Sequence, residues 1–443
     1  MTVLELKQLV QVLKQTPAMQ SKINIGHSIA ANTTRAKKLS DFYALPGDDA
    51  AAIQIAQGYL LHASEGMIPS FVDQHPYFAG WSAVMANVSD IAAMGGRATS
   101  IVNSFWHTSH EKARELIQGM QDACAHYAVI FAGGHTHIDP HFQPALSVAI
   151  QGQAQQLLSV MHVRPQQKVV LVLNMNGKFH PDTTYWKCFE GVAPHVLRRQ
   201  LELLPEIAEE GLAVAARDIS NAGILGSLLM LLEATGSGAD IRLDDIPKPA
   251  ETSWEHWLQL FPSYGFLLTT DAANCDHLTA LFANHDLHCV VIGEVNSTGC
   301  VTVEMDTHIT QFWNFREQAF TGLSYAEQLQ NLHLNSTESR QQEQILMPSV
   351  NFTVKWPNGQ HDNFYSPSTI VYEYFQKGQK MLGNEFLNQV DNALHAASER
   401  VRARYGFACS SAMDTLNRIQ IKAQHMAIQP TDYIEITDIY NID

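Results

Sequence analysis

Positive charge is what this sequence is shortest of. Its 443 residues hold 28 Lys and Arg against 44 Asp and Glu, for a net charge of −16. A nucleic-acid binder draws its affinity from neutralising phosphates with cationic side chains, so that class of partner is excluded. A phosphorylated small molecule is not, because a bound divalent cation can supply the missing charge locally. Long apolar stretches are missing too. Runs such as Val169–Leu173 fall far short of the roughly 20 residues of a membrane helix. The N-terminus, MTVLELKQLVQVLKQ, has no basic start followed by an unbroken apolar segment, and Glu5 interrupts its pattern, so it reads as an amphipathic helix and not an export signal. The six cysteines include no C-x-x-C pair, which fits reduced thiols in a cytoplasmic protein better than a disulfide framework or a zinc site.

What is present is 46% hydrophobic residues with only 16% charged, enough to build sizeable cores. Residues 3–14 read as a helix, followed by a polar stretch with Gly26 and Asn32. Residues 51–63 suggest a hairpin around Gly58. Helical spacing runs from Ala79 to Met94, stopped by Gly95-Gly96, and again over 112–127. A short strand (Val129–Ala132), a Gly133-Gly134 turn and an alternating strand through Leu146, Val148 and Ile150 follow. A second unit begins near Pro165, with strands at 168–174, 239–243, 265–270, 289–295 and 300–305 and helices near 194–213, 222–234 and 276–284. This order makes the fold class α+β. Residues 329–345 are polar and read as a linker; beyond them FTVKW, Pro357-Asn358-Gly359 and a second strand form a hairpin, and helices at 384–404 and 409–426 close the chain. The expected domains are 1–160, 161–328 and 346–443.

Four motifs carry the chemistry. Gly47-Asp48-Asp49-Ala50-Ala51 sets adjacent acids beside a glycine, either an ordinary acidic turn or a source of hard oxygen ligands for Mg²⁺. In Asn87-Val88-Ser89-Asp90, Asn87 and Asp90 share a helix face, and Asp90 opposes the helix dipole in the last turn at a cost of about 0.3–1 kcal/mol. A nearby cation would explain why an acid is kept there. Gly133-Gly134-His135-Thr136 offers close backbone approach to an anion, or is a plain turn. In Asp218-Ile219-Ser220-Asn221-Ala222-Gly223, Ser220 and Asn221 are good helix caps, and the same helix start suits a phosphate with a metal.

The order GDDAA, N-x-S-D-I-A-A-M-G, GG-x-T, D-x-S-N-x-G resembles the AIR synthase-like superfamily, which includes AIR synthase, formylglycinamide-ribotide amidotransferase, selenophosphate synthetase, thiamine-monophosphate kinase and a hydrogenase maturation factor. The resemblance covers roughly residues 40–305. It implies ATP and Mg²⁺ (or Mn²⁺) as cofactors, a small-molecule substrate, and a homodimer whose sheets join into a barrel. The implied metal ligands are Asp48, Asp49, Glu65, Asp90 and Asp218, with Glu65 standing where relatives have the Asp of a Thr-Asp pair. Gly47, Asn87, Gly133, Gly134, Thr136, Ser220 and Asn221 would face the phosphates, and Asp218 and His135 are the catalytic candidates. His107, His110 and His137 could line a substrate pocket or be ordinary surface or core histidines.

The chain also departs from the family. It lacks the reactive Cys or selenocysteine and the N-terminal lysine expected of selenophosphate synthetase, and the cysteine tail of the hydrogenase factor; Asn221 replaces an acid of many relatives. The implied function is an ATP- and Mg²⁺-dependent enzyme that phosphorylates or activates a small polar metabolite. The rival is a non-catalytic ATP sensor or scaffold. Residues 346–443, through FTVKWPNG, YSPS and ASERVRARYGFACSSAMD, resemble a short family of bacterial proteins from nitrogen-starvation gene clusters, which points the activity toward nitrogen metabolism. There Arg400, Arg402 and Arg404 form an anion patch or a solvated helix end, and Cys409 is an activated or a structural thiol.

Overall fold

The computed structural model describes residues 1–33, 47–181, 183–261, 264–326, 349–405 and 410–442. The expected linker at 329–345, Cys409, and the side chains of Arg402 and Arg404 lie outside the described part. The backbone divides into two compact units, Met1–Asn331 and Leu332–Asp443. The fold class is α+β, as expected.

The first unit opens with helices α1 (Val3–Gln15) and α2 (Pro17–Thr33). A reciprocal cap between Thr2 and Glu5 starts α1. The polar stretch around Gly26 is thus helical and not irregular; it has no strong apolar stripe to announce it. Next come strands β1 (Ala51–Gln54) and β2 (Tyr59–Met67), helices α3 (Pro69–Gln74) and α4 (Pro76–Ala93), then β3 (Gly96–His107), α5 (His110–Tyr127), β4 (Ile130–Ile138) and β5 (Ala145–Ala154). The sheet order is β1-β2-β5-β3-β4, with α4 and α5 packed together on one face. Their close approach needs glycine: a Cβ on Gly80 would lie 2.2 Å from the Leu116 carbonyl oxygen, and one on Gly119 2.0 Å from that of Tyr77.

Gly133-Gly134 is not a turn after a strand. β4 runs straight through it, and the pair forms a bulge where Ile101 faces Phe131 but Asn103 faces Gly134. Gly133 has φ +128°, which a bulge tolerates only with glycine.

The rest of the unit comprises β6 (Lys168–Leu173), the short strands β7 (Lys178–Phe179) and β8 (Trp186–Lys187), α6 (Pro194–Glu209), β9 (Ala215–Asp218), α7 (Gly223–Glu233), β10 (Gly238–Arg242), α8 (Trp254–Trp257), β11 (Gly265–Thr270), α9 (Cys275–Ala283), β12 (His288–Asn296), β13 (Cys300–Met305) and β14 (His308–Asn314). Seven of the strands form a sheet in the order β14-β13-β10-β12-β6-β11-β9. Leu6, Val10, Leu13 and Met19 from α1 and α2 pack into the core of this sheet, although the sequence groups them with the preceding domain. Helix α7 is capped by Ala222 at φ +105° and not by Ser220 or Asn221; the Ser220 N–H donates instead to Ser227 Oγ at 3.0 Å.

The second unit contains β15 (Ser349–Lys355), β16 (His361–Ser366), β17 (Lys380–Leu382), α10 (Gly383–Tyr405), α11 (Ser410–His425) and β18 (Tyr433–Ile442). The β15–β16 hairpin turns at Pro357-Asn358-Gly359, as the Asn-Gly pair predicts, and the sheet order is β16-β15-β18-β17. Trp356, Phe352, Phe375 and Phe386 fill its separate core. No helix among the described residues is long and apolar enough to cross a membrane.

Candidate metal and nucleotide site

Three acids from distant parts of the chain meet inside the first unit. Asp49 comes from the turn leading into β1, Asp90 from the last turn of α4, and Asp218 from the end of β9. One carboxylate oxygen of each lies within 4.8 Å of the others, and all three side chains are buried. Among the described residues this is the one group of acid, His or Cys side chains so arranged. Burial pushes the carboxyls of Asp90 and Asp218 well above the usual range, and the neighbouring acids push them further. Neither carboxylate accepts a hydrogen bond from any described residue. Buried anions without donors need a counter-ion or a proton, and hard oxygen donors at this spacing suit Mg²⁺ or Mn²⁺. The residues present therefore fit the implied metal.

Asp49 is held differently. Its Oδ2 accepts the Asp218 N–H at 3.0 Å, and its Oδ1 pairs with Arg217 Nη2 at 3.1 Å. Arg217 also donates to the Gly47 carbonyl, so one guanidinium fixes both the glycine and the acid of the first motif. Arg217 Nε is buried with no partner among the described residues. Glu65, on β2, raises the Asp90 and Asp218 carboxyls by its charge, which places it beside the group. Lys22, on α2, is the facing cation: burial lowers its pKa, while Glu65, Asp218 and Asp49 work to hold its proton on.

Asp48 is turned away. Its Oδ2 accepts from Ser159 Oγ at 2.6 Å and its Oδ1 from the Val160 N–H at 2.8 Å. Burial nonetheless pushes its carboxyl up to about 7. Adjacent side chains in extended backbone leave on opposite sides, so only one of the two acids can enter the group. Asn87 is fully buried and spends both amide hydrogens, on the Ala83 carbonyl at 2.8 Å and on Val148 of β5 at 3.1 Å. Its amide joins helix to sheet and has no donor left for a phosphate. Ser220 and Asn221 lie two and three residues after Asp218, and the Ser220 N–H is taken up by Ser227 Oγ. Gly133, Gly134, His135 and Thr136 do not join it: they ride on β4, the sheet edge, with β5 and β3 between them and β2. His135 is exposed there, its ring 4.6 Å from that of His137.

Two residues escaped the sequence reading. Arg217 had a signal, as the single charged residue before the acid in an otherwise apolar strand. Lys22 had none. Nothing in PAMQSKINIG marks one residue as facing acids far along the chain.

Comparison with known proteins places this geometry. Residues 47–154 match the family model described as AIR synthase related protein, N-terminal domain, and residues 186–306 that of its C-terminal domain. Residues 351–439 match the model described as nitrogen starvation-induced protein NitG. An uncharacterized protein of Synechocystis sp. is 36% identical over 321 residues, 72% of this chain and 99% of that protein. One of Methanocaldococcus jannaschii is 32% identical over 227 residues, 49% of this chain and 68% of the other. The structure of Thermotoga maritima PurL complexed with ATP superposes with a TM-score of 0.54 at 19% identity, over 72% of this chain but only 55% of PurL, and so shares the fold. With both AIR synthase models matched in sequence order, and a relative aligned along nearly its whole length, the chain belongs to the AIR synthase related protein family.

Proposed function

We propose that the first unit binds ATP through a divalent metal held by Asp49, Asp90 and Asp218, and uses it to phosphorylate or activate a small polar metabolite. The observation that carries this reading is the meeting of three buried carboxylates, two of them without hydrogen-bond donors, beside Lys22 and Arg217. Phosphoryl chemistry asks little covalent help of a protein; it asks for positioning and for neutralised phosphate charge. When bound, the metal would supply that neutralisation. Arg217 holds Asp49 in place before any ligand arrives. Lys22 offers a second positive charge, and Glu65 a further oxygen donor beside the acids. The binding of ATP by T. maritima PurL, which shares the fold, supports the choice of nucleotide. The NitG match supports a small polar substrate from nitrogen metabolism, such as an amide, amine or carboxylate.

The test is ADP release from ATP and Mg²⁺ in the presence of a fractionated metabolite pool, with mass spectrometry of the consumed compound and Asp218→Asn as control. Metabolite-dependent ADP that vanishes in the variant is expected. Nucleotide binding without turnover on any fraction would leave a sensor as the better description.

A further inference from the structure

A cavity of about 300 Å³ lies apart from the acid group, between the α1–α2 corner and β14. That is within the size range of small-molecule sites. Lys14 enters it from the last turn of α1. Its ammonium lies 5.7 Å from the Trp313 ring centroid and 5.9 Å from that of Phe312, and among the described residues it makes no hydrogen bond or ion pair. Burial lowers its pKa, and Glu317 is the first group to oppose this. Glu317 is another wall of the cavity, and its Oε1 accepts from Asn314 Nδ2 at 2.8 Å, which holds the carboxylate in place. Gln20 Nε2 donates to the Lys14 carbonyl at 2.9 Å and leaves its own Oε1 for a ligand. Gln311 Oε1 takes the Cys300 thiol at 3.5 Å, which leaves the Gln311 amide hydrogens available.

We infer that this cavity binds a small α-amino acid with a polar side chain: its carboxylate on Lys14, its ammonium on Glu317, its side chain on the two glutamine amides. A free anion would meet the like charge of Glu317, and a free cation that of Lys14; a zwitterion satisfies both. The half-buried ammonium, which has no partner among the described residues, gains a charge-assisted one. Gln20 and Ile23 of α2 line the cavity, whereas Lys22 of the same turn is directed to the acid group, so this site is separate from the proposed nucleotide site.

Calorimetric titration of the full chain without nucleotide decides it, with L-glutamine and L-serine as probes and acetate and methylammonium as half-ligands. Both amino acids should bind, and each half-ligand should bind about tenfold more weakly or worse. Lys14→Met and Glu317→Gln should each weaken the amino acids by about tenfold with melting temperatures unchanged. Should Lys14→Met fold poorly, the exposed Glu317→Gln decides alone. Silence from both amino acids, acetate binding as well as they do, or full binding retained in a folded variant would overturn the inference.

Discussion

Asp90 sits where an acid is least welcome, one turn from the C-terminal end of a buried helix and beside two other carboxyls. Without metal, burial and the charges of Asp218, Glu65 and Asp49 all work against its charged form. Asp90→Asn should then leave the metal-free stability unchanged or slightly raised, by up to about 1 kcal/mol, since it takes away an unfavourably placed carboxylate charge. The same variant should show no ATP–Mg²⁺ thermal shift, so the order of melting temperatures inverts when ligand is added. A full shift in Asp90→Asn would remove it from the metal set. Arg217 gives the opposite expectation. Its ion pair with Asp49 is buried, with side-chain exposures of 11% and 2%, and Arg217→Met leaves the acid uncompensated. A loss of about 3–5 kcal/mol in chemical denaturation is expected, together with weaker Mg²⁺-dependent ATP binding. Unchanged stability would mean that Arg217 is not the residue that sets Asp49. The acids of the site were legible as adjacent or motif-bound letters; which of Asp48 and Asp49 faces inward was not, because that depends on where Ser159 and Val160 sit more than a hundred residues later.

At the scale of elements, β11 and β13 were readable because GFLLTT is a bounded, largely apolar run, buried throughout, and CVTVEM alternates with a period of two, its Val301, Val303 and Met305 buried. Strand β9 was not. Its four residues, AARD, are too short for a period and carry no β-branched side chain, and pairing with β11 makes them a strand. The helix α2 and the β4 bulge were missed for a related reason: tertiary packing, and not local pattern, decides them. One further element has no regular structure. After β14, the N–H groups of Phe320, Thr321 and Gly322 and the Thr321 hydroxyl all donate to the buried Glu233 carboxylate of α7, at 2.6–3.1 Å. Leu323 then packs under Gly47, and the Tyr325 N–H donates to the Ala234 carbonyl at 2.8 Å. This strap joins α7 to the acid turn. A fragment of residues 1–331 should therefore fold and keep nucleotide binding, while one ending at 319 should lose both, since each donor removed from Glu233 costs about 1–3 kcal/mol. Circular dichroism melts of the two fragments check this; equal stability would make the strap dispensable.

For the whole molecule, the face of the five-stranded sheet opposite α4 and α5 carries Ile53 and Val102 at 51% and 50% exposure, beside a groove lined by His62, Ser64 and Ala149. An open apolar sheet face of this kind asks for a partner. Sedimentation should give a homodimer, and Val102→Glu should shift it to monomer; a wild-type monomer at micromolar concentration would contradict assembly through this face. Whether the acid group holds nucleotide through a metal is decided by calorimetric titration of ATP with Mg²⁺ and with EDTA. A triphosphate brought to Asp49, Asp90 and Asp218 in a chain of net charge −16 is repelled unless a cation bridges them. Binding with Mg²⁺ and none that is measurable in EDTA is expected; equal affinity in both would rule out a metal bridge.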